Sequence, residues 1–143
     1  MNDTFFKLIE LSQQGFFCSQ IMLIMALEAQ GKENPDLVRS MSGLICGIGH
    51  KGKNCGALTG GACFLGLYTG KGTAEEMEDS RANEMLGEFV DWFEEKVLPL
   101  YGSVDCDAIL ENDPENRKTR CPELVMASLD KVTEILRAND YQL

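Results

Sequence analysis

The sequence predicts an all-α fold, a single compact bundle of about six or seven helices around a central glycine-rich helix. Three observations predict it. Apolar residues recur at helical spacing through most of the chain, helix stop signals separate these runs, and no segment needs the alternation of a strand. Residues 1–143 read as one helical cysteine-rich domain, because this length suits one core and no repeat or low-complexity block divides it.

Residues 3–14 place Phe5, Phe6, Leu8, Ile9 and Leu11 on a broad apolar face, and Gly15 stops the run. Residues 18–30, rich in Met and Leu, predict a second helix closed by Gly31. Asn34 as N-cap and Pro35 at the first helical position start a third. Gly43, Gly47, Gly49 and Gly52 then break the pattern into a loop. Beyond Cys55, Gly56 and Gly60 lie one helical step of four apart, as do Ala57 and Gly61. They make a small-residue stripe on a helix running to about Tyr68, along which another helix can come close.

Gly70 and Gly72 turn the chain again. Thr73 and Glu76 have capping-box spacing, so a long helix is expected from Ala74 to about Leu98. Its apolar positions include Met77, Met85, Phe89, Trp92, Phe93 and Val97, and Pro99 and Gly102 are expected to end it. A short helix from Ser103 to about Leu110 and a polar loop follow. The last helix is expected to take Cys121 as N-cap and Pro122 as its first residue, and to run to about Asn139.

The formal charge of −10 argues against a nucleic-acid partner and against an anionic membrane surface, both of which need clustered Lys and Arg. The longest apolar run, residues 16–29, is interrupted by Ser19, Gln20 and Glu28 and is too short to span a bilayer. The opening residues lack a basic stretch followed by an apolar one, so a cytoplasmic location is expected.

Six cysteines are many for such a chain. In a reducing compartment they favour metal binding or redox chemistry, with small buried hydrophobes as the plain alternative. No two form a CxxC pair, which counts against a thioredoxin-like motif and a zinc ribbon. Cys18, Cys55, Cys106 and Cys121 all fall at or near predicted helix N-termini. Unpaired N–H groups and the helix dipole favour an anion there, and thiol pKa falls. Four converging helix ends would hold thiolates, a disulfide pair or an anionic metal–sulfur cluster.

Cys63, roughly 12 Å beyond Cys55 on a continuous helix, reads as core. Cys46 could swing toward Cys55 as an extra ligand or resolving thiol. His50, Lys51 and Lys53 make the stretch before Cys55 basic, which supports Cys55 as the reactive sulfur; a solvated loop explains them equally well. There is no P-loop, no strand leading into GxGxxG and no HExxH, and no third group orients a Cys–His pair.

"CGALTG", Cys55 to Gly60, resembles the CGAxxG motif of the C-GCAxxG-C-C family, whose members are described as redox-active. Cys18 in "GFFCSQ" is placed like that family's upstream cysteine. Cys106 in "YGSVDCDAIL" and Cys121 in "TRCPEL" are placed like its two downstream ones. The resemblance covers nearly the whole chain. It implies a redox or metal role for Cys18, Cys55, Cys106 and Cys121, to which Cys46 and Cys63 are additions.

Three readings follow. The first is an electron-transfer protein holding a metal ion or iron–sulfur cluster through Cys18, Cys55, Cys106 and Cys121, with Cys46 as a further candidate ligand. Gly56 and Gly60 would then pack beside the cofactor. The second is a metal-free thiol–disulfide oxidoreductase with Cys55 as the attacking thiol, serving a redox partner protein. The third is a non-catalytic helical interaction module with buried cysteines and acidic faces for a basic partner. Packing of the glycine-lined helix within one chain or across a homodimer would explain its stripe equally well.

Overall fold

The structure of the chain, a computed structural model, describes residues 3–143. Seven α-helices follow one another: α1 (Asp3–Gln13), α2 (Cys18–Ala29), α3 (Pro35–Ser40), α4 (Gly56–Thr69), α5 (Ala82–Tyr101), α6 (Cys106–Leu110) and α7 (Arg117–Ala138). Short 3-10 turns at Met41–Leu44 and Pro114–Asn116 lead out of α3 and into α7. The fold is all-α, with no strand among the described residues.

α4 is the central helix, and its sequence explains why. A side chain at Gly60 would put its Cβ 2.9 Å from the Cβ of Met22 and 3.0 Å from the Cα of Ser19. At Gly56 it would meet the Cβ of Cys18 at 3.1 Å, and at Gly61 it would run into the ring of Phe89. The small-residue stripe therefore seats α2 on one side and α5 on another, trading helix propensity for burial. α7 closes a third side. The core so formed is led by Met22, Phe64, Phe89, Phe93, Val132 and Leu136, all fully or almost fully buried. Ser19, also buried, donates its hydroxyl to the Met41 carbonyl at 3.0 Å and ties α2 to the turn after α3. Asn34 caps α3 as expected, accepting from the Leu37 N–H at 3.1 Å.

Four helix boundaries depart from expectation. α5 starts at Ala82 rather than Ala74. The Glu76 carboxylate does reach back to the Thr73 N–H at 2.9 Å, but the chain beyond it is held by other bonds. The Asp79 N–H donates to the Thr69 carbonyl at 2.8 Å, and the Asp79 carboxylate accepts from Arg81 and from the Tyr141 hydroxyl at 2.6 Å. Met77, expected on the apolar face, is instead 92% exposed.

Pro99 does not end α5. It lies on the exposed side near the end of the helix, which runs on to Gly102 in the left-handed conformation, φ 76°. α7 begins at Arg117, so Cys121 is not its N-cap and Pro122 is not its first residue. Asp113 caps the preceding turn by accepting from the Glu115 N–H at 3.0 Å, and that turn winds directly into the helix. α6 starts at Cys106 rather than Ser103, because residues 103–105 are spent in contacts with the loop before α4.

Glycine at position 61 should matter through space, not propensity. Gly61→Ala should lower stability by about 1–3 kcal/mol through the clash with Phe89. Gly87→Ala, at an exposed α5 position with open space around it, should raise stability by about 0.5–1 kcal/mol. Urea denaturation of both variants checks the pair, and a Gly61→Ala protein as stable as the parent would refute the close approach.

Candidate functional site

The loop from the first 3-10 turn to α4 is built, not slack. Cys46, Ile48 and His50 take left-handed backbone with φ of 50°, 63° and 62°, alternating with Gly47, Gly49 and Gly52. Such conformations cost energy for side-chain-bearing residues, above all for a β-branched one. Backbone bonds hold them: Gly52 N–H to the Cys46 carbonyl at 3.2 Å, and Lys53 N–H to the Gly47 carbonyl at 2.9 Å. A Cβ at Gly52 would strike the Asp107 carboxyl group, so this position is closed to any side chain.

The end of that loop pairs with the start of α6. Cys106 donates its N–H to the Lys53 carbonyl at 2.6 Å, Cys55 donates to the Val104 carbonyl at 3.0 Å, and Asn54 bridges Asp105. Cys55, the N-cap of α4, and Cys106, the first residue of α6, are thereby fixed side by side. Arg120 then joins α6 to α7, donating to the Ile109 carbonyl at 2.6 Å and to Glu111 at 2.9 Å. Cys121 follows on α7. Cys18 begins α2, directly under Gly56 of α4.

Five cysteines border one space as a result. Cys18, Cys46, Cys55, Cys106 and Cys121 line one cavity of about 30 Å³, with Phe17, Gly56, Ile109, Leu110 and Arg117 completing its wall. Cys55 is buried, and the other four are partly buried. Cys63 is not among them: it faces the core further along α4. Gly60 lies against Met22 and Ser19, while Gly56 reaches the cavity. His50 sits outside it, edge-on to Phe17 at 6.2 Å, beside a neighbouring cavity that also touches Cys46 and Cys106.

Charge divides the sulfurs. Burial pushes the Cys55 thiol up to about 12, and the N–H groups of Ala57 and Leu58 offset only part of that. Lys51 and Lys53 are exposed, and desolvation outweighs the lowering expected at Cys55 from its helix end and those lysines. Cys106 is likewise raised to about 11 by burial and by the neighbouring sulfurs. Cys121 moves the other way. The adjacent Cys18 thiol and the Arg117 guanidinium both hold it below the ordinary thiol range. Cys18 is held well above it by Cys121 beside it and by burial.

Arg117 is the residue that sequence reading missed. It lies one helical step of four before Cys121, and that spacing would have exposed it had α7 been expected to start at residue 117. It also stacks over the Phe17 ring at 5.9 Å, fastening the start of α7 to the start of α2.

The donor set suits a thiophilic metal in its chemistry. In its geometry it does not fit a single ion: among the described residues, no three His, Cys, Asp or Glu side chains are gathered to hold one. No helix among them is long and apolar enough to cross a membrane. In comparison with known proteins, a family model described as "Putative redox-active protein (C_GCAxxG_C_C)" matches residues 16–135. No curated protein and no solved structure matches the chain.

The buried thiols set a pH dependence. Thiols of the unfolded chain ionise near about 8.5, so between there and the native values the folded chain binds more protons. Stability is then complete below about pH 8.5 and falls as pH rises toward the Cys55 value of about 12. Urea midpoints measured upward from neutral pH should decline, and less steeply in Cys55→Ala. Equal slopes in the two proteins would show that Cys55 ionises as it does when unfolded.

Proposed function

The chain belongs to the C_GCAxxG_C_C family, and we propose that it is a thiol–disulfide redox protein whose working pair is Cys18 and Cys121. The observation that carries this reading is placement: Cys18 and Cys121 line the same two cavities beside Arg117, where α2 and α7 meet. Such a pair presents a nucleophilic sulfur and, next to it, the thiol that resolves the product.

In the oxidising direction the Cys121 thiolate attacks one sulfur of a partner protein's disulfide. The partner's S–S bond breaks, a mixed disulfide forms, and the partner's other sulfur leaves as a thiolate and takes up a proton. Cys18 then loses its proton and attacks the Cys121 sulfur, and the partner's second sulfur leaves and is protonated. Two electrons pass from this chain to the partner, one proton comes from Cys18 and the other from solvent, and a Cys18–Cys121 disulfide remains. Cys55 stays a neutral thiol throughout, while Cys46 and Cys106 border the reacting pair without replacing it.

A second reading has its own support. Five cysteine sulfurs around one cavity form the soft donor set that iron–sulfur clusters use, and Cys18, Cys55, Cys106 and Cys121 would be the ligands. Binding it would require the side chains to spread from their present positions.

Protein purified without oxygen should contain no stoichiometric iron, zinc or acid-labile sulfide. Mild oxidation should yield a disulfide that peptide mapping assigns to Cys18 and Cys121. Cys121→Ser should slow exchange with a disulfide-bearing protein by about a hundredfold or more, and Cys63→Ser should leave it within about twofold. Stoichiometric iron and sulfide that vanish in Cys55→Ser would replace the dithiol reading with the cluster.

A further inference from the structure

Cys18 and Cys121 stand on the walls of two cavities at once. One is the small sulfur cavity; the other is an open cavity of about 290 Å³ between α1, the start of α2 and the start of α7. Its lining is mainly apolar, with Leu8, Ile9, Phe16, Ile21 and Val125 among it. Its size lies at the lower end of small-molecule sites, so a protein presents only an exposed disulfide at its mouth, whereas a small disulfide enters whole.

Its charge is opposite to that of the chain. No Asp or Glu lines it, although the chain carries a formal charge of −10, while Arg117 and Lys118 both do. Arg117 stacks on Phe17, and among the described residues no carboxylate pairs with it in an ion pair. Lys118 meets Glu115 at 3.5 Å, but both side chains are about 80% exposed, so that bond is weak and readily exchanged. An apolar chamber with two available cations on its wall and a pair of thiols beside them is matched to one kind of molecule.

We propose that this cavity is the substrate site of the Cys18–Cys121 pair, and that it takes a small disulfide with an apolar body and a carboxylate end. The inference rests on the dithiol reading above and adds the substrate class. The apolar body fills the space between α1 and α7, the carboxylate meets Arg117 and Lys118, and the disulfide lies against Cys121. The Cys121 sulfur attacks one sulfur of the ligand and opens its S–S bond, and the other sulfur leaves and is protonated. Cys18 gives up its proton and displaces the first sulfur from Cys121, which is protonated in turn. The ligand gains two electrons and two protons as a dithiol, and the chain is left with the Cys18–Cys121 disulfide.

The test uses the full-length reduced protein in single turnover with three probes. Lipoate has an apolar arm, a carboxylate and a cyclic disulfide; lipoamide lacks the charge; cystamine is polar and cationic. Lipoate should be reduced about tenfold faster than lipoamide, with cystamine slower still. Lys118→Gln should remove most of the lipoate preference. Ser12→Phe, at an exposed wall position, should slow lipoate far more than cystamine, while Cys63→Ser, outside both cavities, should leave all three rates within about twofold and so report an intact dithiol. Octanoate, which has no sulfur, should slow iodoacetamide labelling of Cys121 several-fold, and octylamine should not. Equal rates for all three disulfides with no octanoate protection would overturn the site and leave the dithiol reading standing. Octanoate protection without reduction of any disulfide would overturn the dithiol reading, and with it the substrate assigned here.

Discussion

The distance at which α2 crosses α4 governs most of what this chain does. A helix pair separated by ordinary side chains would hold the start of α2 away from the start of α4. Here Gly56 and Gly60 remove the spacers, and Cys18 comes to rest against the first turn of the glycine helix. Every other contact at the sulfur cavity builds on that crossing. The loop before α4 sets Cys55 and Cys106 together, Arg120 brings α7 alongside α6, and Cys121 lands beside Cys18. The glycines weaken α4 as an isolated helix, and the burial of Met22, Phe64 and Phe89 around it offsets the loss.

Within the cavity, two effects compete for each sulfur. Helix ends and Arg117 favour the thiolate, while desolvation and the neighbouring sulfurs oppose it. At Cys55 burial is nearly complete, and the opposing effects prevail. At Cys121 the adjacent Cys18 thiol and a guanidinium tip the balance the other way. Neighbouring thiols cannot all ionise together, so charge on one suppresses charge on the rest. The cluster is therefore asymmetric by electrostatics even though its five members are chemically identical.

Much of this was legible in the sequence, for local reasons. The all-α class, the caps at Asn34 and Gly102 and the glycine stripe of α4 are written in spacing and residue type. Cys18, Cys55, Cys106 and Cys121 were selected by their nearness to helix starts, and all four line the cavity, with Cys46 placed there by a backbone-bonded loop. What was not legible depends on partners far along the chain. Asp79 is held by Tyr141, so the capping-box spacing at Thr73 could not predict where α5 begins. Pro122 suggested a helix start, but the Asp113 turn upstream had already begun the winding. The thiol of Cys55 was expected to be lowered by its neighbours in sequence, and burial by other elements raises it instead.

The sulfur pair is drawn from near the two ends of the chain, and Cys55 and Cys106 meet through a bridge between residues 54 and 105. Contacts of such long sequence separation carry a high loop-closure cost and form late, after local helices have assembled. During folding the thiols are thus kept apart until the chain between them is in place. The proposed thiol chemistry would thus belong to the finished tertiary structure alone and would lapse once that structure opens.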